Sequence, residues 1–561
     1  MSNPRFHGSR TWWRHAAASA VGALLMATQA HAALDSAELT ALKAIYNSTG
    51  GANWNNKDNW MNNGDPCASA APWAGVTCDD TGTHVRELTL SSKNLVGQMP
   101  SAHIQAFTQA RWIDISDNAL TGPLPDVSGM AKLEMFRAGY NQFSGSIPAL
   151  TGLPLLDEYT VSGNQLNGTL PTLDPAQLPM LDDFDASNNR LTGAIPPIAS
   201  MTSLGNFDVS NNALTGSIPP LAGMTNLGVF YADNNQLTGS IPPLAGLSSL
   251  YFFHVNDNQL SGTIPPLDGL SRLYDFWAYN NRLSGSLPTL SGVGLTALAR
   301  FDVHNNQLTG AVPSLAGLSA LQLLRIRDNQ LTGALPPVPS AALTDAWLCP
   351  NPLQRAAIPP TADDNAWNTA SRYTPWSQYC PVVFSAPSAT NTGAVTAAMN
   401  DRSAGNTCEF APTPRMISVA AAGANPVTPP GVSFPHGLFE FTAQRCQAGG
   451  TISMKMTYPA PLPPGTRYWK WGPEPGNTTP HWYVMPATIS GNTITFAIKD
   501  GGQGDDDLLA NGTIVDQGGP GVPTGATGGE GVAAVPTLGE WGLLLLAALL
   551  GVLGVRARRA A

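Results

Sequence analysis

Charge is scarce in this chain. Of 561 residues only 12% are Asp, Glu, Lys or Arg, and the acids outnumber the bases 38 to 28, leaving a net charge of −10. That balance excludes nucleic acid and anionic lipid as partners, because both are held by dense Lys/Arg surfaces. Histidine is rarer still, at nine residues. There is no G-x-S-x-G elbow, H-E-x-x-H helix, P-loop or dinucleotide-binding glycine pattern, so no enzyme, cofactor or metal is implied. Cysteine is limited to six residues, with no C-x-x-C and no histidine at ligand spacing, which sets zinc aside. By proximity alone the six form three pairs, Cys67 with Cys78, Cys349 with Cys380, and Cys408 with Cys446. In an exported chain these read as disulfides.

Export is written at the start. Residues 1–32 carry Arg5, Arg10 and Arg14, the small apolar run Ala16 to Ala27, and then Ala30-His31-Ala32, the order of a secretory signal peptide and its cleavage site. The opposite end holds Val535, Pro536, Thr537, Leu538, Gly539, Glu540 and Trp541, an apolar stretch from Gly542 to Val555, and Arg556, Arg558 and Arg559. This segment resembles the IPTL-type C-terminal sorting signal of Gram-negative bacteria, with Val535 where the family usually has Ile. The resemblance implies a membrane sorting protease that cuts near Pro536 and a protein that ends at the cell surface or is secreted. An apolar segment followed by arginines also stops translocation, leaving a transmembrane segment with its basic end in the cytoplasm. On its own the stretch is short for a spanning helix.

Glycine (56) and proline (48) are plentiful, a composition that would fit disorder were the hydrophobic residues not so regularly spaced. The decapeptide Leu214 to Gly223 recurs unchanged at Leu237 to Gly246, 23 residues on, and a fixed period in this range marks a solenoid. One asparagine per repeat carries the phase: Asn118, Asn141, Asn164, Asn189, Asn212, Asn235, Asn258, Asn281, Asn306 and Asn329. With a degenerate turn at Lys93 there are about eleven repeats. The unit L-x-x-L/F-x-L/V/A-x-x-N-x-L-T/S-G-x-I/L-P, as in Leu204, Phe207, Val209, Asn212, Leu214, Gly216 and Pro219, resembles the plant-specific class of leucine-rich repeat. The expected fold is an α/β-type leucine-rich repeat solenoid, with parallel short strands and an irregular convex side. Alternate strand residues point inward, and each asparagine satisfies backbone groups where the chain turns.

Seven segments follow: signal peptide 1–32; N-terminal cap 33–84; repeats 85–340; C-terminal cap 341–382; a β-sandwich-like domain 383–516; a Gly-rich linker 517–534; and the sorting signal 535–561. The first cap, with Trp54, Trp60, Cys67, Trp73 and Cys78, resembles that of plant leucine-rich receptors, although Ala68 to Pro72 lengthens the spacing between Cys67 and Trp73. Trp347, Cys349, Trp367, Trp376 and Cys380 suit a disulfide-closed second cap. Segments such as Leu438 to Thr442 and Thr493 to Ile498 alternate in polarity and read as strands of an all-β sandwich-like domain. That domain resembles a small bacterial domain found before such sorting signals, sometimes called a choice-of-anchor domain. Asp500, Asp505, Asp506, Asp507 and Asn511 read as a solvated acidic turn, with calcium held through oxygen ligands as the alternative.

The repeats supply two columns of outward side chains, expected on a concave face. One runs through Asp185, Asp208, Tyr231, His254, Trp277, Asp302 and Arg325; its neighbour through Ser187, Ser210, Asp233, Asn256, Tyr279, His304 and Arg327. Early repeats are small or acidic, the middle aromatic and histidine-rich, the last basic. Tyr231, His254, Trp277, Tyr279, Asp302, His304, Arg325 and Arg327 are therefore the expected ligand-binding residues, although strand faces also favour aromatics for packing alone. Asp183 and Asp185 share a face but are equally explained as exposed polar neighbours. The expected function is extracellular recognition or adhesion toward a protein, peptide or glycan. Two other classes stay open: a matrix spacer without a ligand, and an enzyme whose activity lies in the β-domain.

Overall fold

The computed structural model describes residues 33–524 except 63, 69–70, 293, 355–359, 373, 378–379, 402–407, 412–413 and 423–426. The signal peptide, the sorting signal and the apolar stretch Gly542 to Val555 lie outside the described residues. Among the described residues no helix is long and apolar enough to cross a membrane. The chain divides into two compact units, Met1–Arg190 and Leu191–Ala561.

In the first unit a helix forms at Ser36–Ser48 because the Asp35 side chain accepts the backbone N–H groups of Ala37 and Glu38 at its start. The helix buries Ala41, Leu42 and Ile45. Tyr46, Trp54, Trp60 and Trp73 form a chain of ring contacts with centroids 4.8–5.8 Å apart. Glu38, 1% exposed, joins the helix to the strand that opens the repeats by accepting from His84 Nδ1 at 2.9 Å and from the backbone N–H of Val85 at 2.6 Å. Cys67 is bonded to Cys78. The strand Val85–Thr89 pairs antiparallel with Val76–Cys78 and then parallel with Trp112–Asp114, from which Met135–Arg137, Glu158–Thr160 and Asp183–Asp185 follow in parallel register.

The second unit continues the repeat with parallel strands at Asn206–Asp208, Val229–Tyr231, Phe252–His254, Asp275–Trp277, Arg300–Asp302, Leu323–Arg325 and Asp345–Trp347. The asparagines do the structural work expected of them. Asn281, for example, accepts the N–H of Leu260 at 2.8 Å and donates to the carbonyls of Val255, Ala278 and Tyr279 at 3.0–3.2 Å, stitching one repeat to the one before. The residue ahead of each is left-handed, as at Asn234, Asp257, Asn280 and Asn305, which explains the recurring Asn-Asn and Asp-Asn pairs, since these side chains tolerate that backbone best after glycine. The far side carries little helix. It forms a second short parallel ladder, Ser261–Gly262, Arg282–Ser286, Gln307–Ala311 and Gln330–Thr332.

The expected C-terminal cap holds one more turn of the repeat. Asn351 accepts from the Leu331 N–H and donates to the carbonyls of Ile326 and Leu348, as the ladder asparagines do. The helix Ala362–Ala370, opened by a Thr361–Asp364 capping box, then buries Trp367, and Cys349 is bonded to Cys380.

Two antiparallel sheets follow. One orders Val382–Pro387, Ala394–Asp401, Thr451–Thr457, Thr493–Lys499 and Ala487–Ser490; the other contains Glu409–Phe410, Leu438–Gln444, Ile514–Pro523, Arg467–Glu474 and Asn477–Met485. Met399, Met454 and Phe496 of the first share a core with Phe439, Tyr468 and Ile514 of the second, a sandwich closed by Cys408–Cys446. The β-region does not stop at Asp516. Gln517–Pro523, expected as the start of the Gly-rich linker, is the second half of the strand Ile514–Pro523, which pairs with Leu438–Gln444 up to Gly518, with Arg467–Glu474 from Gly518 to Gly521, and with Val432–Ser433 at its end. The glycines belong to packing: a Cβ at Gly519 would strike the Gly437 carbonyl and Leu438, and one at Gly521 would enter the Trp469 ring.

Candidate functional site

Each repeat strand of the second unit points its middle residue inward. Phe230, Phe253, Phe276 and Phe301 are fully buried and stack at 5.4, 5.6 and 5.5 Å. This spine fixes the register, so their outward neighbours also align one repeat apart: Tyr231 beside His254, His254 beside Trp277, Trp277 beside Asp302, Asp302 beside Arg325, Arg325 beside Trp347.

Five of the expected site residues come together as stacked rings. Tyr231 lies on His254 at 4.5 Å, and His254 on Trp277 at 4.1 Å with planes 5° apart. In the neighbouring column Tyr279 lies on His304 at 4.7 Å, and Trp277 and Tyr279, tilted at 6.2 Å, join the columns. The stacked faces cover one another, so along the ladder the rings present mainly their edges. Trp277 Nε1 and Asn256 Oδ1 are buried here with no hydrogen-bond partner. Burial pushes the Tyr279 hydroxyl up to about 12, with Asp257 adding to the shift, and raises Asp233 against the opposing pull of His254.

Asp302 departs from the expected role. It is 2% exposed, accepts from His304 Nδ1 at 2.6 Å and lies 3.6 Å from Arg325. Asp302 therefore ties together two of the other expected site residues, His304 and Arg325. Nor is the last repeat a bare positive patch. Arg325 pairs with Asp345 at 2.6 Å, Arg327 pairs with Asp328, and both guanidinium groups lie over the Trp347 ring, at 5.0 and 4.8 Å.

Trp347 is the member of this face that sequence reasoning missed, because it was assigned to the cap; its place beside Arg325, 22 residues on, was the available signal. Also missed were the two positions ahead of each phenylalanine. There Tyr251 stacks on Tyr274 at 5.1 Å, and Asp275, 2% exposed, lies 3.3 Å from Arg300 and 3.8 Å from His254. Counting one and two residues back from each phenylalanine would have found them.

The other carboxylate groups are tied to the fold. Asp185 accepts from the Ser187 N–H. In the β-domain Asp500 accepts from Gly449 and Gly512, Asp505 from Gly501 and Val515, and Asp507 from Leu509 and Asn511. Asp506 instead faces Lys470. Among the described residues no group of three or more His, Cys, Asp or Glu is arranged to hold a metal ion.

The chain is a leucine-rich repeat solenoid followed by antiparallel β-sheets. It carries an IPTL-CTERM motif, matched over residues 533–560. A probable LRR receptor-like serine/threonine-protein kinase of Arabidopsis thaliana is 34% identical over 111 residues, 19% of this chain and 11% of that protein. Among solved structures, the Arabidopsis receptor kinase HAESA, in complex with the peptide hormone IDA and the co-receptor SERK1, is 28% identical with a TM-score of 0.46 over 57% of each chain. The PEPR1–AtPEP1 complex gives 25% identity and a TM-score of 0.48 over 57% of this chain and 49% of that one. The chain thus spans about a tenth of the curated kinase's length and about half of each receptor chain.

Proposed function

We propose that the chain is an exported recognition protein whose outward strand face, from Tyr231 to Trp347, binds an extended peptide or a protein segment outside the cell. The observation that carries this reading is the ring ladder with its buried polar atoms that lack hydrogen-bond partners, among them Trp277 Nε1, His254 Nε2 and Asn256 Oδ1. A buried donor or acceptor left unpaired costs about 1–3 kcal/mol, and such orphans ask for an explanation. Uncovered by a shift of the rings, a donor at Trp277 and an acceptor at Asn256 match what a peptide backbone offers, a C=O and an N–H per residue. A glycan fits less well, because sugar stacking needs open ring faces and these rings cover one another. The export half of the reading rests on the IPTL-CTERM motif, whose partner would be a membrane sorting protease.

The test is to probe a peptide array and a glycan array with the purified protein and with Trp277→Ala. Capture of peptides by the wild type and loss of that capture in the variant supports the reading. Glycan capture that survives the substitution, or no capture on either array, refutes it.

A further inference from the structure

Lys470 lies on the strand Arg467–Glu474 with its side chain wholly buried. Its strand partner across the ladder is Gly518, and Asp516, two residues before Gly518, lies on the same face because side chains alternate along a strand. Lys470 Nζ is 2.8 Å from Asp516 Oδ1, and the Asp516 side chain is wholly buried too. A third group, Asp506, brings Oδ1 to 3.5 Å from the same nitrogen. Glycine at 472 makes room for it, since a Cβ there would overlap the Asp506 carboxylate. The Gly504 carbonyl also accepts from Lys470 Nζ. The surroundings are core: Tyr458, Tyr468 and Ile514 are fully buried, and both tyrosine hydroxyls lack partners.

As an ion pair this arrangement is poor. Removing two charges from water is repaid only where good geometry and further hydrogen bonds satisfy the remaining lone pairs. Here the Lys470 ammonium, 2.8 Å from Oδ1, is the one group that meets the Asp516 carboxylate among the described residues, and its second oxygen has no hydrogen-bond partner. A second carboxylate, Asp506, leaves the cluster with one negative charge in excess.

We propose that Lys470 and Asp516 condense to an intramolecular isopeptide bond, with Asp506 carrying the proton between them. Proton transfer within the pair gives a neutral amine facing a neutral carboxylic acid. The Nζ lone pair adds to Asp516 Cγ, forming the C–N bond. Asp506 takes one proton from that nitrogen and returns it to the departing hydroxyl, so the Cγ–O bond breaks and one water leaves. Amine plus carboxylic acid becomes amide plus water, with no oxidant, cofactor or net proton needed. Burial raises the Asp516 carboxyl, favouring its neutral, electrophilic form, while the two aspartates raise the Lys470 amine against its own burial and hold its proton; release of that proton is the step for which Asp506 is needed, raised by burial to about 7 against the pull of Lys470, where a carboxyl can take and return a proton near neutral pH. The amide would fasten the strand Ile514–Pro523, which leads on toward the sorting motif, to its neighbour by a covalent bond.

The experiment is peptide mapping of the purified full chain after reduction. The expected product is a branched peptide joining Lys470 to Asp516, lighter by one water than its two parts. Asp506→Asn, shown to be folded by circular dichroism, should yield the two peptides unlinked. Separate, unmodified peptides from the folded wild type would overturn the proposal. So would a water loss that maps to Asp500–Gly501 as a succinimide. The wild-type map decides the matter even if the variant does not fold.

Discussion

Trp277→Phe separates the ring's packing from its hydrogen-bonding capacity. Phenylalanine keeps an aromatic face against His254, where the present stack has a 4.1 Å centroid distance, and deletes part of the ring area together with the Nε1–H, which is buried and unpaired. Loss of ring area costs contact, while removal of an unsatisfied buried donor relieves part of a penalty of about 1–3 kcal/mol. The two effects oppose each other, so stability in urea should stay within about 1 kcal/mol of the wild type. Trp277→Ala, which forfeits the stack as well, should lose a further ~1 kcal/mol, the usual value of an aromatic pair beyond its area. Phe276→Ala is the contrast: its ring is fully buried between Phe253 and Phe301, and emptying that site should cost about 3–5 kcal/mol. For a peptide recovered from the array, Trp277→Phe should weaken binding by roughly tenfold, one hydrogen bond's net worth of about 1 kcal/mol or slightly more. Urea unfolding and titration calorimetry read the two quantities. If Trp277→Phe destabilised the fold by more than about 2 kcal/mol, the indole N–H would have a structural partner, and the claim that it awaits a ligand would fail.

Asn281→Ala removes one accepted hydrogen bond and the two N–H donors shared among three carbonyls and should cost about 3 kcal/mol at a net value near 1 kcal/mol for each of the three; urea unfolding checks it, and a loss under ~1 kcal/mol would refute the stitching role. In the first unit, burial followed by Asp182, Glu158 and Glu134 raises the Asp157 carboxyl to about 6. Its folded pKa exceeds its unfolded one, so ionisation opposes folding: the penalty is full above pH 6, fades as the pH falls through 6, and is gone below the ordinary carboxylate range. Asp157→Asn should therefore raise Tm at pH 8 and leave it nearly unchanged at pH 4; an equal gain at both would rule out the charge as its cause. Intact-mass measurement of the protein from its native host should show a chain that stops near Pro536, and a mature surface form that keeps Arg556 to Ala561 would sink the processing reading.

The repeat was legible because its signals are local and redundant. Asparagine, leucine, glycine and proline recur at fixed offsets, and each reports one step of the same turn, so a substitution at one position leaves the phase readable from the others. Asn351 was lost where Pro350 and Pro352 break the consensus around it, although its hydrogen bonds are those of the ladder. The ring columns could be counted from the asparagines. Their mutual stacking, and the burial of Asp302 beneath His304 and Arg325, could not, because a column count says which way a side chain points but not what its neighbours take from it.

The glycine-rich segment Gly518–Gly521 shows the opposite failure. Composition there matches a linker as well as it matches a strand, and only the partners decide. Trp469, Leu438 and the Gly437 carbonyl crowd the segment closely enough to exclude a Cβ, a constraint imposed by residues some 50 to 80 positions earlier in the sequence. The same distance hides the Lys470, Asp506 and Asp516 cluster. Of the three, only Asp506 was singled out in the sequence, as part of an acidic turn with Asp500, Asp505, Asp507 and Asn511. What makes them chemically different is that the strand carrying Asp516 is central and not terminal in its sheet. Once that strand is buried, an exposed ion pair is no longer possible, and the ammonium and carboxylate must share an apolar core. Loss of water between Lys470 and Asp516, as proposed above, removes both of their charges from that core.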